Sequence, residues 1–448
     1  MASSADRMAA NISLAKFSQA TDLKKRLWFT LGVLIVFRFL SFVPVPGVDP
    51  TALAAWSGRS SGGILDIFNT FSGGAMSRAS LLTLGIMPYI TASIVVQLAA
   101  SLSPQLEALK KEGESGRKKL NQYTRYGTVG LAAVQGYFAA LNWQVQNVAV
   151  QPGTLFIVSA VISLIGGTLF LMWLGEQITS RGIGNGASLI IMAGIVAQGP
   201  VTLSNLLESG RTGSISGLLI LGTIILAVAL VAFICFMERA QRRVLIQYPK
   251  RQTRQGIMQA DRSHLPLKVN TAGVIPPIFA SSLLLLPLTI TQFAGKGVNG
   301  DSWWGDAIIS INQFLAHGSP TYMTLYGLGI IVFCMWYTAI IFNPEETAEN
   351  LKRNGGFIPG IRPGKNTELY LDYVLTRLTV VGAAYLTVIC LIPEFLIAKA
   401  GIPFRLGGTS LLIVVNVTVD TVTQIQSHLI AHQYGDLIKK ARLKGKLR

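Results

Sequence analysis

The sequence predicts an all-α polytopic membrane protein of ten spans arranged as two inverted five-helix halves, and three observations carry that prediction. Half of the 448 residues are apolar and only 13% are charged, a balance that a soluble domain of this size does not show. Apolar runs of about 18 or more residues recur, near 27–43, 78–101, 124–143, 154–174, 215–237, 270–292, 321–342, 373–392 and 407–425, with a shorter, glycine-broken run near 186–200. The third observation is that two phrases return five spans apart.

The amino-terminal tail, 1–26, ends in Lys24, Lys25 and Arg26 and has no small-residue cleavage site, so the first span reads as a retained helix and not as a removed signal peptide. The net charge of +17 has an orientation behind it. With that tail in the cytoplasm, 31 of the 38 Lys and Arg fall on one side, chiefly in the tail, the even-to-odd connections and the carboxyl-terminal tail 427–448. The positive-inside rule then places both termini in the cytoplasm. Arg38 lies inside the first span, where it snorkels or pairs near the outer face. The first half runs over 27–201, an external connecting loop over 202–214, and the second half over 215–426, with cytoplasmic loops at 239–269 and 344–369.

The second span reads GIMPYITAS from Gly85 and the seventh GVIPPIFAS from Gly273, matching at Gly85/Gly273, Pro88/Pro276, Ile90/Ile278, Ala92/Ala280 and Ser93/Ser281. The fifth opens GASLII from Gly186 and the tenth GTSLLI from Gly408, with Ile191 facing Ile413 in the alignment. Because five is odd, the halves run through the membrane in opposite directions, which puts a functional site near the midplane between them, lined by broken helices. Pro88 and Pro276 are expected inside their spans, each freeing a carbonyl and kinking the axis.

An ion-coupled secondary transporter on such a repeat is the alternative function, but it needs ionisable groups at the midplane. The inward candidates are aliphatic: Ile86 and Ile90 one turn apart, then Ile191, Ile278 and Ile413, all on the repeated helices. Any one of them alone is ordinary bundle core. As a set they are able to close a hole by dewetting and steric fit. No HExxH, P-loop or facing aspartate pair is present, and no cofactor or metal is implied. His428 and His432 share a helical face but read as a polar helix end. Cys235, Cys334 and Cys390 are isolated small hydrophobes.

Two loops are too basic to be mere connections. In ERAQRRVLIQYPKRQTRQ the alternating Val244, Ile246 and Tyr248 predict a hairpin, flanked by Arg242, Arg243, Lys250, Arg251 and Arg254. In GFIPGIRPGKNT glycines and prolines fix turns around Arg362. Such surfaces suit an acidic partner or RNA, and spacing does not choose between them. The segment GGILDIFNTFSGGA, 62–75, is apolar, too short to cross a bilayer and fenced by glycines, and reads as an interfacial or re-entrant half-helix on the outer side.

Five stretches, LGIMPYITAS (84–93), LMWLGEQITSRGIGNG (171–186), HLPLKVNTAGVIP (264–276), GIRPG (360–364) and GGTSLLIVV (407–415), together resemble the SecY family, the pore subunits of the bacterial protein translocase, over essentially the whole chain. The resemblance implies a protein-conducting channel in the bacterial inner membrane, shaped as an hourglass between the two halves. It moves unfolded chains across the membrane and releases apolar segments through a lateral gate between the second and seventh spans. It implies a pore ring of Ile86, Ile90, Ala187, Ile191, Ile278 and Ile413, in which Ala187 stands where a larger aliphatic residue is expected. Around the gate it implies Pro88, Ser93, Pro276 and Ser281, with Gln97, Thr128 and Asn270 hydrogen-bonding across the closed seam.

The same resemblance makes 62–75 a plug: Gly62, Gly63, Gly73 and Gly74 are its hinges, Ile64, Leu65, Ile67, Phe68 and Phe71 its apolar body, and Asp66 and Asn69 its wetter side. It assigns the basic loops, including Arg362, to the ribosome with its rRNA and to the SecA ATPase. Further partners it implies are the small membrane subunits SecE and SecG, signal peptides, nascent chains and the surrounding bilayer.

Overall fold

The computed structural model describes residues 21–59, 69, 72–213, 216–248, 252–253, 256–257, 262–294, 319–400 and 407–445. Its elements are α1 (Thr21–Leu40), α2 (Pro50–Arg59), α3 (Met87–Leu102), α4 (Pro104–Lys111), α5 (Glu114–Val145), α6 (Thr154–Arg181), α7 (Gly186–Arg211) and α8 (Gly217–Arg239). Four strands follow, β1 (Gln241–Gln247), β2 (Gln252–Thr253), β3 (Gly256–Ile257) and β4 (Arg262–Lys268), then α9 (Ile275–Ala294), α10 (Pro320–Ile341), α11 (Pro344–Arg353), α12 (Lys365–Ala400) and α13 (Gly408–Gly445).

The ten apolar runs lie on α1, α3, α5, α6, α7, α8, α9, α10, α12 and α13, so the chain is an all-α polytopic protein. Six helical stretches, on α6, α7, α8, α10, α12 and α13, are long and apolar enough to cross a membrane, while Met87–Leu102 and Ile275–Leu284 are shorter apolar helices. α8 shows what faces lipid: Leu218 is 82% exposed and Phe236 71% exposed in the isolated chain, a pattern that is stable only where the solvent is hydrocarbon.

Three boundaries differ from the sequence expectation. The fifth span is an unbroken helix that continues to Arg211 with Pro200 inside it, so most of 202–214 is helix and not loop. The second and seventh spans start later than expected, at Met87 and Ile275, because turns occupy 72–86 and 271–274.

By contact the chain falls into two compact units, residues 1–201 with 413–448, and residues 202–412. In the first, α5 packs on α3 and α6, and α1 packs on α6. Its core centres on the fully buried Trp143 with Val45, Leu84, Ala140, Phe156 and Leu164. The strand-like stretch after α1 is stitched to this core, with Val45 N–H donating to Ala79 O (2.8 Å) and Asp49 N–H to Val148 O (2.9 Å). Asp49 accepts the hydroxyl and amide hydrogens of Thr51, which hold its carboxyl below the usual range.

A second knot in this unit uses the RGIGNG turn between α6 and α7. Ile183 N–H donates to Thr30 Oγ1 (3.3 Å) on α1, and Gly184 N–H donates to Gln424 Oε1 (2.9 Å) on α13. Asn185 Oδ1 accepts from Ala187 N and Ser188 N, capping α7.

The second unit carries the hairpin the alternation predicts. β1 pairs antiparallel with β4, with Val244 opposite Leu265 and Ile246 opposite Ser263, and Val244 and Ile246 are buried. What they bury against is the other basic loop: Gln247 and Phe357 exchange backbone hydrogen bonds of 2.9 and 3.0 Å, and Val244, Ile246, Leu267, Leu351, Ile358, Leu371 and Val374 form one cluster. α11 starts on a capped turn, Asn343 Oδ1 accepting from Glu345 N and Glu346 N with Pro344 next.

Candidate functional site

The repeated phrases fold alike. Gly85 and Gly273 both adopt positive φ, +58° and +63°, a region that a β-carbon disfavours. α3 and α9 each begin two residues later. Pro88 and Pro276 are therefore the second residues of their helices, and the expected mid-helix kink at these prolines is incorrect. In the first turn a proline removes an N–H that has no intrahelical partner, so it starts a helix without breaking one.

The second repeated pair also agrees. Gly186 is the first residue of α7 and a β-carbon on it would strike the carbonyl of Gly175 on α6; Gly408 is the first residue of α13 and would strike that of Ile389 on α12. Both glycines let two helix backbones meet directly, which is how membrane helices pack closely.

The ring candidates occupy equivalent positions on these four helices. Ile90 and Ile278 are the fourth residues of α3 and α9, and Ile191 and Ile413 the sixth residues of α7 and α13. Ile86 lies one turn before Ile90, whose N–H donates to its carbonyl (3.2 Å). Ile86, Ile191, Ile278 and Ile413 are buried, while Ile90 and Ala187 are half-buried.

Among the gate residues, each polar side chain finds a partner within its own unit. Gln97 is exposed and reaches Ser93 Oγ (3.4 Å), and the buried Thr128 donates to Thr124 O (2.7 Å). Ser281 donates to Ile278 O (2.9 Å). Asn270 is the most engaged: Nδ2 donates to Glu238 Oε1 (2.6 Å), and Oδ1 accepts from Gly273 N (3.0 Å).

Glu238, only 7% exposed, is missed by the sequence reading, which counts the stretch after α8 as a basic loop. One signal was available: an acid in the last turn of a helix opposes the helix dipole and needs another reason to be there.

At the far end of α1, Arg38 donates to Gly73 O (2.9 Å), so of the two expectations for it, snorkelling or pairing, it takes a partner. Gly73 and Gly74 both have positive φ, +69° and +82°. Asn69 is half-buried, its Oδ1 accepting from Ser77 N (3.0 Å) and its carbonyl from Gly74 N (2.8 Å), so this residue is a turn anchor more than a wet face. Residues 62–68, with Gly62, Gly63, Ile64, Leu65, Asp66, Ile67 and Phe68, and also Phe71, lie outside the described residues.

On the hairpin, Arg242 and Arg243 are exposed, as is Arg362 on the neighbouring loop; Lys250, Arg251 and Arg254 at the tip lie outside the described residues. Among the described residues no group of His, Cys, Asp and Glu is placed to hold a metal ion.

Comparison with known proteins gives the family of the chain. The family description SecY matches residues 80–422. The chain is 52% identical over 430 residues to the protein translocase subunit SecY of Vibrio cholerae, covering 96% of each chain. It is 51% identical over 428 residues to that of Escherichia coli K12, covering 95% of this chain and 96% of the other.

Among solved structures, one described as a protein conducting channel aligns with a TM-score of 0.64 at 20% identity, covering 90% of this chain and 92% of the other. A structure concerned with the plug domain of the SecY protein, said there to stabilise the closed channel and maintain a membrane seal, aligns with a TM-score of 0.62 at 19% identity, with coverages of 90% and 92%. Sec61 from the canine ribosome–channel complex of the endoplasmic reticulum aligns at 0.61 and 20% identity, again covering 90% and 92%.

Proposed function

The chain belongs to the SecY family, and on that premise we propose how its parts divide the work of a protein translocase. It is a subunit of a protein-conducting channel in a membrane and not an enzyme, and the secondary-transporter alternative finds no support in its relatives.

The observation that carries the finer reading is the pair of matched helix starts, Gly85–Ile90 and Gly273–Ile278, each presenting an isoleucine at the same depth from a left-handed glycine. Ile86, Ile90, Ala187, Ile191, Ile278 and Ile413 form a constriction that holds no ion and fits a passing polypeptide loosely. A ring without charge seals by dewetting, which suits a channel that must pass every kind of side chain.

α3 and α9 line the lateral gate. A nascent segment of about 20 apolar residues gains more in hydrocarbon than in a wet pore, so an openable seam lets it leave sideways. Pro88, Ser93, Gln97, Thr128, Asn270, Pro276 and Ser281 border that seam. Their local hydrogen bonds keep each side satisfied when it parts.

Segment 62–75 serves as the plug, swinging on Gly73 and Gly74. The shared core of the hairpin and the Arg362 loop makes one basic platform for the ribosome and for the SecA motor, while SecE and SecG complete the complex in the bacterial inner membrane with both termini cytoplasmic. Nucleotide is hydrolysed by the motor.

Ion conductance of the reconstituted complex, with and without residues 62–75, tests the seal. Deletion is expected to raise resting conductance, and further widening follows from Ile413→Gly. Unchanged conductance on deletion reduces the segment to a packing element.

A further inference from the structure

Two arginines meet where α1 ends. The Arg38 guanidinium carbon lies 4.8 Å and that of Arg78 4.1 Å from the centre of the Phe42 ring. The two charges are therefore within about 9 Å of each other, roughly one Debye length.

Among the described residues their hydrogen-bond partners are neutral: Arg38 donates to Gly73 O (2.9 Å) and Arg78 to Ser41 O (3.5 Å). Among the described residues no carboxylate forms an ion pair with either. Each guanidinium has five N–H donors and uses few of them here. Two like charges drawn to one ring, with donors to spare, call for an anion.

The surroundings say which kind. Ile35, Phe39 and Phe42 are 68%, 72% and 55% exposed, and with Arg38 they follow one stripe of α1 and the turn after it. A stripe of bare aromatic and aliphatic groups ending in paired cations matches an acyl chain below a phosphate. A soluble anion has no use for the apolar flank.

We propose that Arg38 and Arg78 bind the phosphate of an acidic phospholipid in the leaflet at the carboxyl end of α1, the leaflet opposite the amino-terminal basic cluster. The site reaches the plug base. Arg38 holds the Gly73 carbonyl, and a β-carbon on Gly74 would lie 2.7 Å from Arg78 Nη2. A bound lipid thus braces both cations against the Gly73–Gly74 hinge. That consequence rests on the plug reading; the lipid site itself does not.

The test replaces Phe39 by a photo-crosslinking residue in the full chain, purified as its complex and reconstituted in vesicles of equal phosphatidylglycerol and phosphatidylcholine. Adduct masses report which lipid sits there. At about 1 kcal/mol for each interfacial arginine, phosphatidylglycerol adducts should exceed phosphatidylcholine adducts by at least ~5-fold. The ratio should fall to that of the vesicle in Arg38→Gln/Arg78→Gln and recover in part in Arg38→Lys/Arg78→Lys.

Millimolar inorganic phosphate should leave the ratio unchanged. An unbiased ratio in the unsubstituted arginine pair, or a bias surviving the double glutamine variant, overturns the site, and loss of the bias to inorganic phosphate overturns the lipid assignment. Because the readout is lipid identity, failure of the plug reading would leave it intact.

Discussion

The starts of α3 and α9 have the same backbone and different chemistry. In both, the N–H of the left-handed glycine is satisfied by a group three residues earlier. At Gly85 that acceptor is the main-chain carbonyl of Leu82 (2.9 Å), whereas at Gly273 it is the side-chain oxygen of Asn270 (3.0 Å). An asparagine side chain imitates a backbone turn, so one repeat closes with its peptide and the other with a side chain.

The supporting groups differ accordingly. Around Gly85 buried hydroxyls serve the backbone, Thr83 Oγ1 donating to Ser80 O (2.6 Å) and Leu82 N–H donating to Ser80 Oγ (3.2 Å). Around Gly273 the buried Glu238 carboxylate takes Asn270 Nδ2 (2.6 Å). The repeat thus preserves the shape that aims Ile90 and Ile278 while leaving the side chains that hold it free to diverge. The second start depends on one carboxyl–amide bond, the first on several small hydroxyl and backbone bonds.

Substitutions break this symmetry in a definite order, read as thermal unfolding of the purified complex. Asn270→Leu takes one hydrogen-bond donor from the buried Glu238 and the acceptor from Gly273 N–H, and should be the most destabilising, by about 2–6 kcal/mol at about 1–3 kcal/mol for each partner lost. Glu238→Ala leaves the Asn270 amide short of an acceptor, at about 1–3 kcal/mol. Gly85→Val and Gly273→Val should cost alike, about 1–2 kcal/mol each from the left-handed backbone, and unequal losses would show that the shared shape is not a shared constraint. Thr83→Val should cost least, about 1 kcal/mol, because Ser80 and the backbone remain.

Much of this was legible in the sequence. Hydropathy located ten helices, and alternation at Val244, Ile246 and Tyr248 located the hairpin, because both are periodic signals. The glycines at 186 and 408 were readable as helix openings. Pro88 and Pro276 were misplaced because hydropathy does not separate an apolar turn from an apolar helix, and 72–86 is a mostly apolar turn in which Arg78 is the one charged residue.

Other features were not readable at all. The Glu238–Asn270 pair joins residues 32 apart, and the Gln247–Phe357 pairing joins two loops that look independent in sequence. Arg78 reaches Arg38 and Phe42 only through the turn over 72–86. Contacts of this kind depend on tertiary folding and leave no local pattern.

The account turns on α3 and α9 parting to let a chain pass. Cysteine pairs placed beside Ile90 and Ile278, with Cys235, Cys334 and Cys390 replaced, can be oxidised in the reconstituted complex and then tested for export and for ribosome binding. The account predicts that the pairs that crosslink fully abolish export, that reduction restores it, and that ribosome binding is unchanged throughout. Normal export with the crosslink fully formed would contradict the gate.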